Sequence, residues 1–217
     1  MVHEYKLSYF PIRGLAESIR LMLHDNEVTF VDDRISKEDW PKFKPKMQFG
    51  QMPCLYDNGV QYVQSGAIIR HLARQIGMYG SDEHEATMAD MMYEGVGDIR
   101  NKYAKLIYTD YSEENKAKFI SELIPPNLES FEKLLGGKKF VCGDKVLYQF
   151  NFLFCVTFAD YALFEILDCL VVLSSTILDK YPHLKAYHAA FGNRPHLKAY
   201  MNSDLRKNAK INGNGIQ

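Results

Sequence analysis

Residues 53–77 read PCLYDNGVQYVQSGAIIRHLARQIG, and the fold follows from this stretch. Pro53-Cys54-Leu55-Tyr56 and Val60 to Val63 are short apolar runs separated by Asp57-Asn58-Gly59. Asn-Gly between two apolar runs is the strongest short-range sign of a hairpin, because these residues tolerate the positive φ that a two-residue turn requires. The spacing therefore predicts two antiparallel strands. Ser65 then reads as the N-cap of a helix with Ile68, Ile69, Leu72 and Ile76 on its apolar face, closed by Gly77 and Gly80.

Upstream, Glu4 to Phe10 (EYKLSYF) alternates polar with apolar and aromatic residues, the period of a strand, and Pro11 to Gly14 break it. Leu15, Ile19 and Leu23 fall on one face of a helix ending near Asp25-Asn26, and Val28 to Val31 read as a second strand. Strand, helix, strand favours a parallel pair with a right-handed crossover. The hairpin and its helix complete a mixed sheet flanked by helices in the thioredoxin-like order. Beyond Ser81 the strand signals stop. Asp82-x-x-Glu85 is a capping box for a long helix, Ser112 opens another segment, Pro125-Pro126 and Gly136-Gly137 punctuate it, and Thr157-x-x-Asp160 precedes an apolar helix; Pro182 and Pro195 mark two shorter ones. The expected fold class is an α/β N-terminal domain, residues 1–80, followed by an all-α C-terminal domain, residues 81–217.

The composition narrows the function classes. Twenty-six basic side chains against 27 acidic ones leave a net charge of -1, so no global field attracts nucleic acid or an anionic membrane. The start of the chain, Met1-Val2-His3-Glu4-Tyr5-Lys6, lacks the basic-then-apolar layout of a secretory signal, and the expected location is cytoplasmic. Val146 to Ala159 is uncharged and rich in Phe but too short to span a bilayer. Cys54, Cys142, Cys155 and Cys169 form no C-x-x-C pair and the histidines no H-E-x-x-H, so structural thiols and no metal are expected.

Four blocks carry a specific resemblance: Tyr9-Phe10-Pro11-Ile12-Arg13-Gly14-Leu15-Ala16-Glu17, Phe49-Gly50-Gln51-Met52-Pro53, Gln64 to Arg74 (QSGAIIRHLAR), and the tail Ile211-Asn212-Gly213-Asn214-Gly215. In this order they resemble cytosolic glutathione transferases, closest to the pi class and its nematode members. The resemblance implies transfer of the thiolate of reduced glutathione to hydrophobic electrophiles, with glutathione as co-substrate and no permanently bound cofactor.

It also implies the site. Tyr9 is the catalytic residue: an unperturbed thiol has a pKa of about 8.5, and a phenol donating to sulfur favours the reactive anion. Gln51, Met52 and Pro53 belong to the glutathione site, with Pro53 cis and the Met52 backbone pairing with the cysteinyl part as an added strand would. Gln64 and Ser65 open a helix whose free N–H groups suit the γ-glutamyl carboxylate. Trp40 and Lys44 hold the glycine end, Lys44 being chosen over Lys42 and Lys46. Asp98 reaches the glutathione of the other subunit of a homodimer, and Phe49 is the aromatic key at that interface. Phe10, Ile12, Ala104, Tyr108, Asn212 and Gly213 line the electrophile site.

Two departures stand out. Leu15 takes the place of an arginine common in pi-class chains, and Leu147 to Val156 (LYQFNFLFCV) interrupts the block that leads into Thr157. The insertion is expected to bulge outward, with the helix after Thr157 intact. Competing readings on the same scaffold are a crystallin-like or ligand-storage protein, a disulfide reductase, which would need a cysteine where Tyr9 stands, and a sigma-type prostaglandin isomerase.

Overall fold

A computed structural model of the chain describes residues 3–143 and 156–216. Residues 147–155 of the expected insertion lie outside them. By its contacts the chain forms two compact units, one of Met1–Ile76 with Arg194–Gly215 and one spanning Gly77–Asn193. Arg194–Gly215 thus packs with the first unit and not with the helical residues 81–217 in which the sequence pattern places it, and the division falls at Ile76 rather than residue 80.

In the first unit, β1 (Tyr5–Tyr9), β2 (Phe30–Arg34), β3 (Cys54–Asp57) and β4 (Val60–Val63) form one sheet in the order β2-β1-β3-β4. β1 runs parallel to β2, with Tyr9 opposite Arg34, and antiparallel to β3, with Ser8 opposite Cys54. Asn58 and Gly59 turn the β3–β4 hairpin with φ of 48° and 82°, the two positive values of a type I′ turn. β2 starts two residues later than its apolar pattern suggests. The end of α1 (Glu17–Asp25) is the reason: Glu27 adopts φ of 54° and Val28 N–H reaches back to the Leu23 carbonyl at 2.9 Å, a Schellman closure that spends Val28 on the helix. Leu15 is not on the helical face either; it lies in a 3-10 turn, Gly14–Ala16, and is exposed.

Two further helices complete the first part of this unit, α2 (Trp40–Phe43) and α3 (Ser65–Gln75), the latter burying Ile68, Ile69, Leu72 and Ala73. Gln64, with φ of 70°, is the N-cap of α3 and Ser65 its first helical residue, one place later than expected for the serine.

In the second unit, α4 (Glu83–Tyr108) is capped by Asp82, which accepts from Glu85 N–H at 2.8 Å, while Glu85 reaches back to Ser81 N–H at 2.8 Å. α5 (Glu113–Lys118) starts at a Ser112 cap, a π turn covers Phe119–Leu123, and α6 (Pro125–Leu135) ends on left-handed Gly136. α7 (Phe158–Leu173) is buried along almost its whole length and packs on α4. It keeps the expected Thr157/Asp160 capping box: Asp160 accepts from Thr157 N–H at 2.8 Å, from Val141 N–H at 2.8 Å and from the Tyr187 hydroxyl at 3.1 Å. α8 (Pro182–Gly192) closes this unit. Among the described residues no helix is long and apolar enough to cross a membrane.

The returning segment of the first unit carries α9 (Pro195–Asn202) and α10 (Asp204–Lys207). α9 packs on α1: Arg194 pairs with Asp25 at 2.7 Å, and the Tyr200 ring stacks on His24 with centroids 3.9 Å apart.

Candidate active site

Tyr9 is the last residue of β1, with its ring buried at the sheet end. Its hydroxyl oxygen accepts from Leu15 N–H at 3.2 Å. A phenol that accepts a backbone N–H is polarised toward donating its own proton. The loop between these residues is held from outside: Arg13 N–H donates to the Lys210 carbonyl at 2.8 Å, Gly14 N–H to the Ile211 carbonyl at 3.2 Å, and Ile12 pairs with Lys210 as an isolated bridge. Gly14 is required here. Its φ is 46°, and a Cβ on it would stand 2.6 Å from the Tyr9 hydroxyl.

Aromatic packing continues from Tyr9 to Phe10 and from Phe10 to Trp40, both edge-on, with centroids 5.7 and 5.8 Å apart. Trp40 and Met52 pack against one apolar cluster of Ile35, Met47, Cys54 and Val63. The Met52–Pro53 bond is cis. Gln64 Nε2 donates to Gln51 Oε1 at 3.1 Å, which ties the loop before Pro53 to the start of α3. Ser65 opens that helix, whose N-terminal N–H groups and dipole favour an anion.

The three neighbouring lysines differ in their side-chain partners. Lys42 pairs with Asp39 at 2.8 Å and Lys46 lies over the Phe43 ring at 5.6 Å, whereas the Lys44 ammonium has no partner among the described residues. Its stem passes Gly50, where an added Cβ would sit 3.5 Å from Lys44 Cε. Phe49, in the same turn, is 78% exposed and holds φ of 57°, a conformation unfavourable for a side chain. Asn212 is buried, and the Gly213 carbonyl accepts from the Lys37 ammonium. Asp98, Ala104 and Tyr108 stand on α4 of the second unit; Asp98 is exposed without a partner among the described residues, Ala104 is half-buried, and Tyr108 is 54% exposed.

The Cys54 thiol behind the site is not a nucleophile, since burial pushes it up to about 11. Sequence reasoning missed the charged groups beneath Tyr9. Glu17 and Arg20 are fully buried on α1 and pair at 3.2 Å, and Arg20 also pairs with Asp32 of β2 at 3.0 Å. A charged pair at i and i+3 inside an apolar helix was the available signal.

Two family models match the chain in order: a glutathione S-transferase N-terminal domain over residues 5–74 and a glutathione S-transferase C-terminal domain over residues 97–204. Glutathione S-transferase 2 of Onchocerca volvulus is 48% identical over 217 residues, covering 98% of this chain and 99% of that protein. Glutathione S-transferase P of Caenorhabditis elegans is 47% identical over 216 residues, again covering 98% and 99%. The solved structure of the Onchocerca volvulus pi-class glutathione S-transferase superposes with a TM-score of 0.91 at 46% identity, covering 99% of this chain and all of that one. With both halves matched in order and nematode pi-class relatives this similar along the whole length, the chain belongs to the glutathione S-transferase family.

Proposed function

We propose that this enzyme conjugates the thiolate of reduced glutathione to small hydrophobic electrophiles, with Tyr9 as the hydrogen-bond donor to sulfur. The observation that carries this reading is the Tyr9 hydroxyl, held at the end of β1 by Leu15 N–H at 3.2 Å. The Gln51–Gln64 pair, the open end of α3 and the unpartnered Lys44 ammonium supply complementary groups for a tripeptide with two carboxylates. In this reading Trp40 and Lys44 take the glycine end, Gln51, Met52 and Pro53 the cysteinyl backbone, and Gln64 with Ser65 the γ-glutamyl carboxylate. No permanently bound cofactor takes part.

The electrophile meets Phe10, Ile12, Ala104, Tyr108, Asn212 and Gly213. The chain works as a homodimer in the cytoplasm, residues 1–80 binding glutathione and residues 81–217 contributing to the electrophile site and the interface. Phe49 enters the neighbouring subunit and Asp98 serves the neighbouring glutathione. Exposure of a large aromatic in a left-handed conformation supports an interfacial role for Phe49, because such strain persists where it has a use. A reductase mechanism is disfavoured by the buried, protonated Cys54 thiol.

The test is a conjugation assay of the purified protein with reduced glutathione and a chloronitrobenzene. Turnover that saturates with glutathione is expected; glutathione binding with no turnover on any activated halide would instead make the chain a binding protein.

A further inference from the structure

We propose that Arg20 is a positioning residue for the reaction, one that braces the Tyr9 loop and lends the reacting sulfur a buried positive field. The inference rests on the role given to Tyr9 above. The Arg20 guanidinium carbon lies 5.9 Å from the centroid of the Tyr9 ring, and the side chain is fully shielded from solvent. Its Nη1 donates to the Ile12 carbonyl at 2.8 Å, so the same group that faces the phenol ring also holds the loop leading to Gly14 and Leu15. Nη2 is buried without a hydrogen-bond partner among the described residues, and the electron-rich face of Tyr9 is a group the structure sets beside this guanidinium.

Buried charges are normally paired, and Arg20 belongs to a set of linked ion pairs. Arg20 pairs with Glu17 and Asp32; Glu17 also pairs with Arg206 at 2.7 Å, and Asp32 with Arg34 at 2.9 Å. The pairs join into one linked network with Arg20 at its centre, between the two carboxylates. The titratable rings packed beside the network are neutral. Burial lowers the His24 pKa, which keeps that ring neutral, and burial beside Glu17 raises that of Tyr200, which keeps the phenol neutral. Asp25 is matched by Arg194. Burial works against the charge on Arg20 itself, but Glu17 and Asp32 hold it protonated.

A cation behind the ring draws electron density from the phenol and makes its O–H a stronger donor, and in a water-poor site the same charge attracts the anionic sulfur directly. Arg20 touches neither glutathione nor electrophile in this scheme. It acts through Tyr9 and the loop.

The experiment titrates the thiol of glutathione bound to the dimer, by the ultraviolet absorbance of the thiolate, alongside the pH profile of kcat/KM. Arg20→Met is expected to raise the midpoint by about one unit, so that conjugation falls about tenfold at pH 6.5 and recovers at alkaline pH. Arg20→Lys keeps the charge and loses the fork, and its midpoint is expected close to that of the parent. Asp32→Asn raises the formal charge of the set and is expected to move the midpoint the other way, which keeps the test available if Arg20→Met does not fold. An unchanged midpoint in folded Arg20→Met, or in Asp32→Asn, overturns the proposal. A parent protein that shows no thiolate signal at all overturns the reading of Tyr9 instead.

Discussion

The two units bury charge for different ends. Beneath Tyr9, Glu17 and Arg20 are both fully inaccessible and belong to a network of linked ion pairs. In the helical unit, Asp160 is equally inaccessible, but its oxygens are met by donors from Thr157, Val141 and Tyr187. The first arrangement leaves a field beside a polar group on a loop; the second spends its acceptors on starting α7 and anchoring α8 to it. Burial of an ionisable group is therefore no sign of function by itself. What separates the cases is whether the surrounding donors and charges use it up.

Substitution at Asp160 should break the helical unit and leave the site chemistry alone. Asp160→Ala strands several buried donors, each costing about 1–3 kcal/mol, and a loss of about 3–5 kcal/mol in urea unfolding is expected, with no shift in the thiolate titration of whatever protein remains folded. The pH dependence sharpens the same point. Burial lifts the Asp160 carboxyl to about 6 against an ordinary 3.8, so the folded state keeps its proton to higher pH than the unfolded chain does. Its contribution is complete below about pH 4 and is lost as pH rises through about 6, a change of up to about 3 kcal/mol that Asp160→Asn should flatten in urea melts.

Gly14→Ala should show the opposite pattern to Asp160→Ala. With φ of 46° and a Cβ 2.6 Å from the Tyr9 hydroxyl, the new side chain displaces the phenol. Conjugation is expected to fall about 100-fold. Stability should fall by only about 1–2 kcal/mol. Asp98→Ala should be milder still: an affinity loss for glutathione of about tenfold, the scale of a charge-assisted hydrogen bond, with melting temperature nearly unchanged, measured by calorimetry on the dimer.

The elements that could be read from the sequence were those whose signals are local. The Asn58-Gly59 turn, the strand β1 and the Thr157/Asp160 box each depend on residues within a few positions of one another, and all three are present, although Ser8 of β1 is buried where alternation would expose it. The start of β2 was missed because Glu27 takes a left-handed conformation usually given to glycine, which delays the strand. The return of Arg194–Gly215 to the first unit was missed for a different reason. It rests on Arg194 with Asp25 and Arg206 with Glu17, pairs too far apart in sequence for any periodicity to register. Of the site, Tyr9, Gln64 and Pro53 were legible only as parts of a resemblance, since a strand-end tyrosine or a residue before a helix has no distinctive spacing. The isolation of the Lys44 ammonium between two partnered lysines is visible only in three dimensions.

The most direct measurement is the pH profile of conjugation by Tyr9→Phe beside the parent protein, with glutathione affinity determined for both. Removing the donor while keeping the ring should leave glutathione bound and lower turnover at neutral pH by roughly 10²–10³-fold. Activity within twofold of the parent from about pH 6 to 8 would mean that another group ionises the thiol.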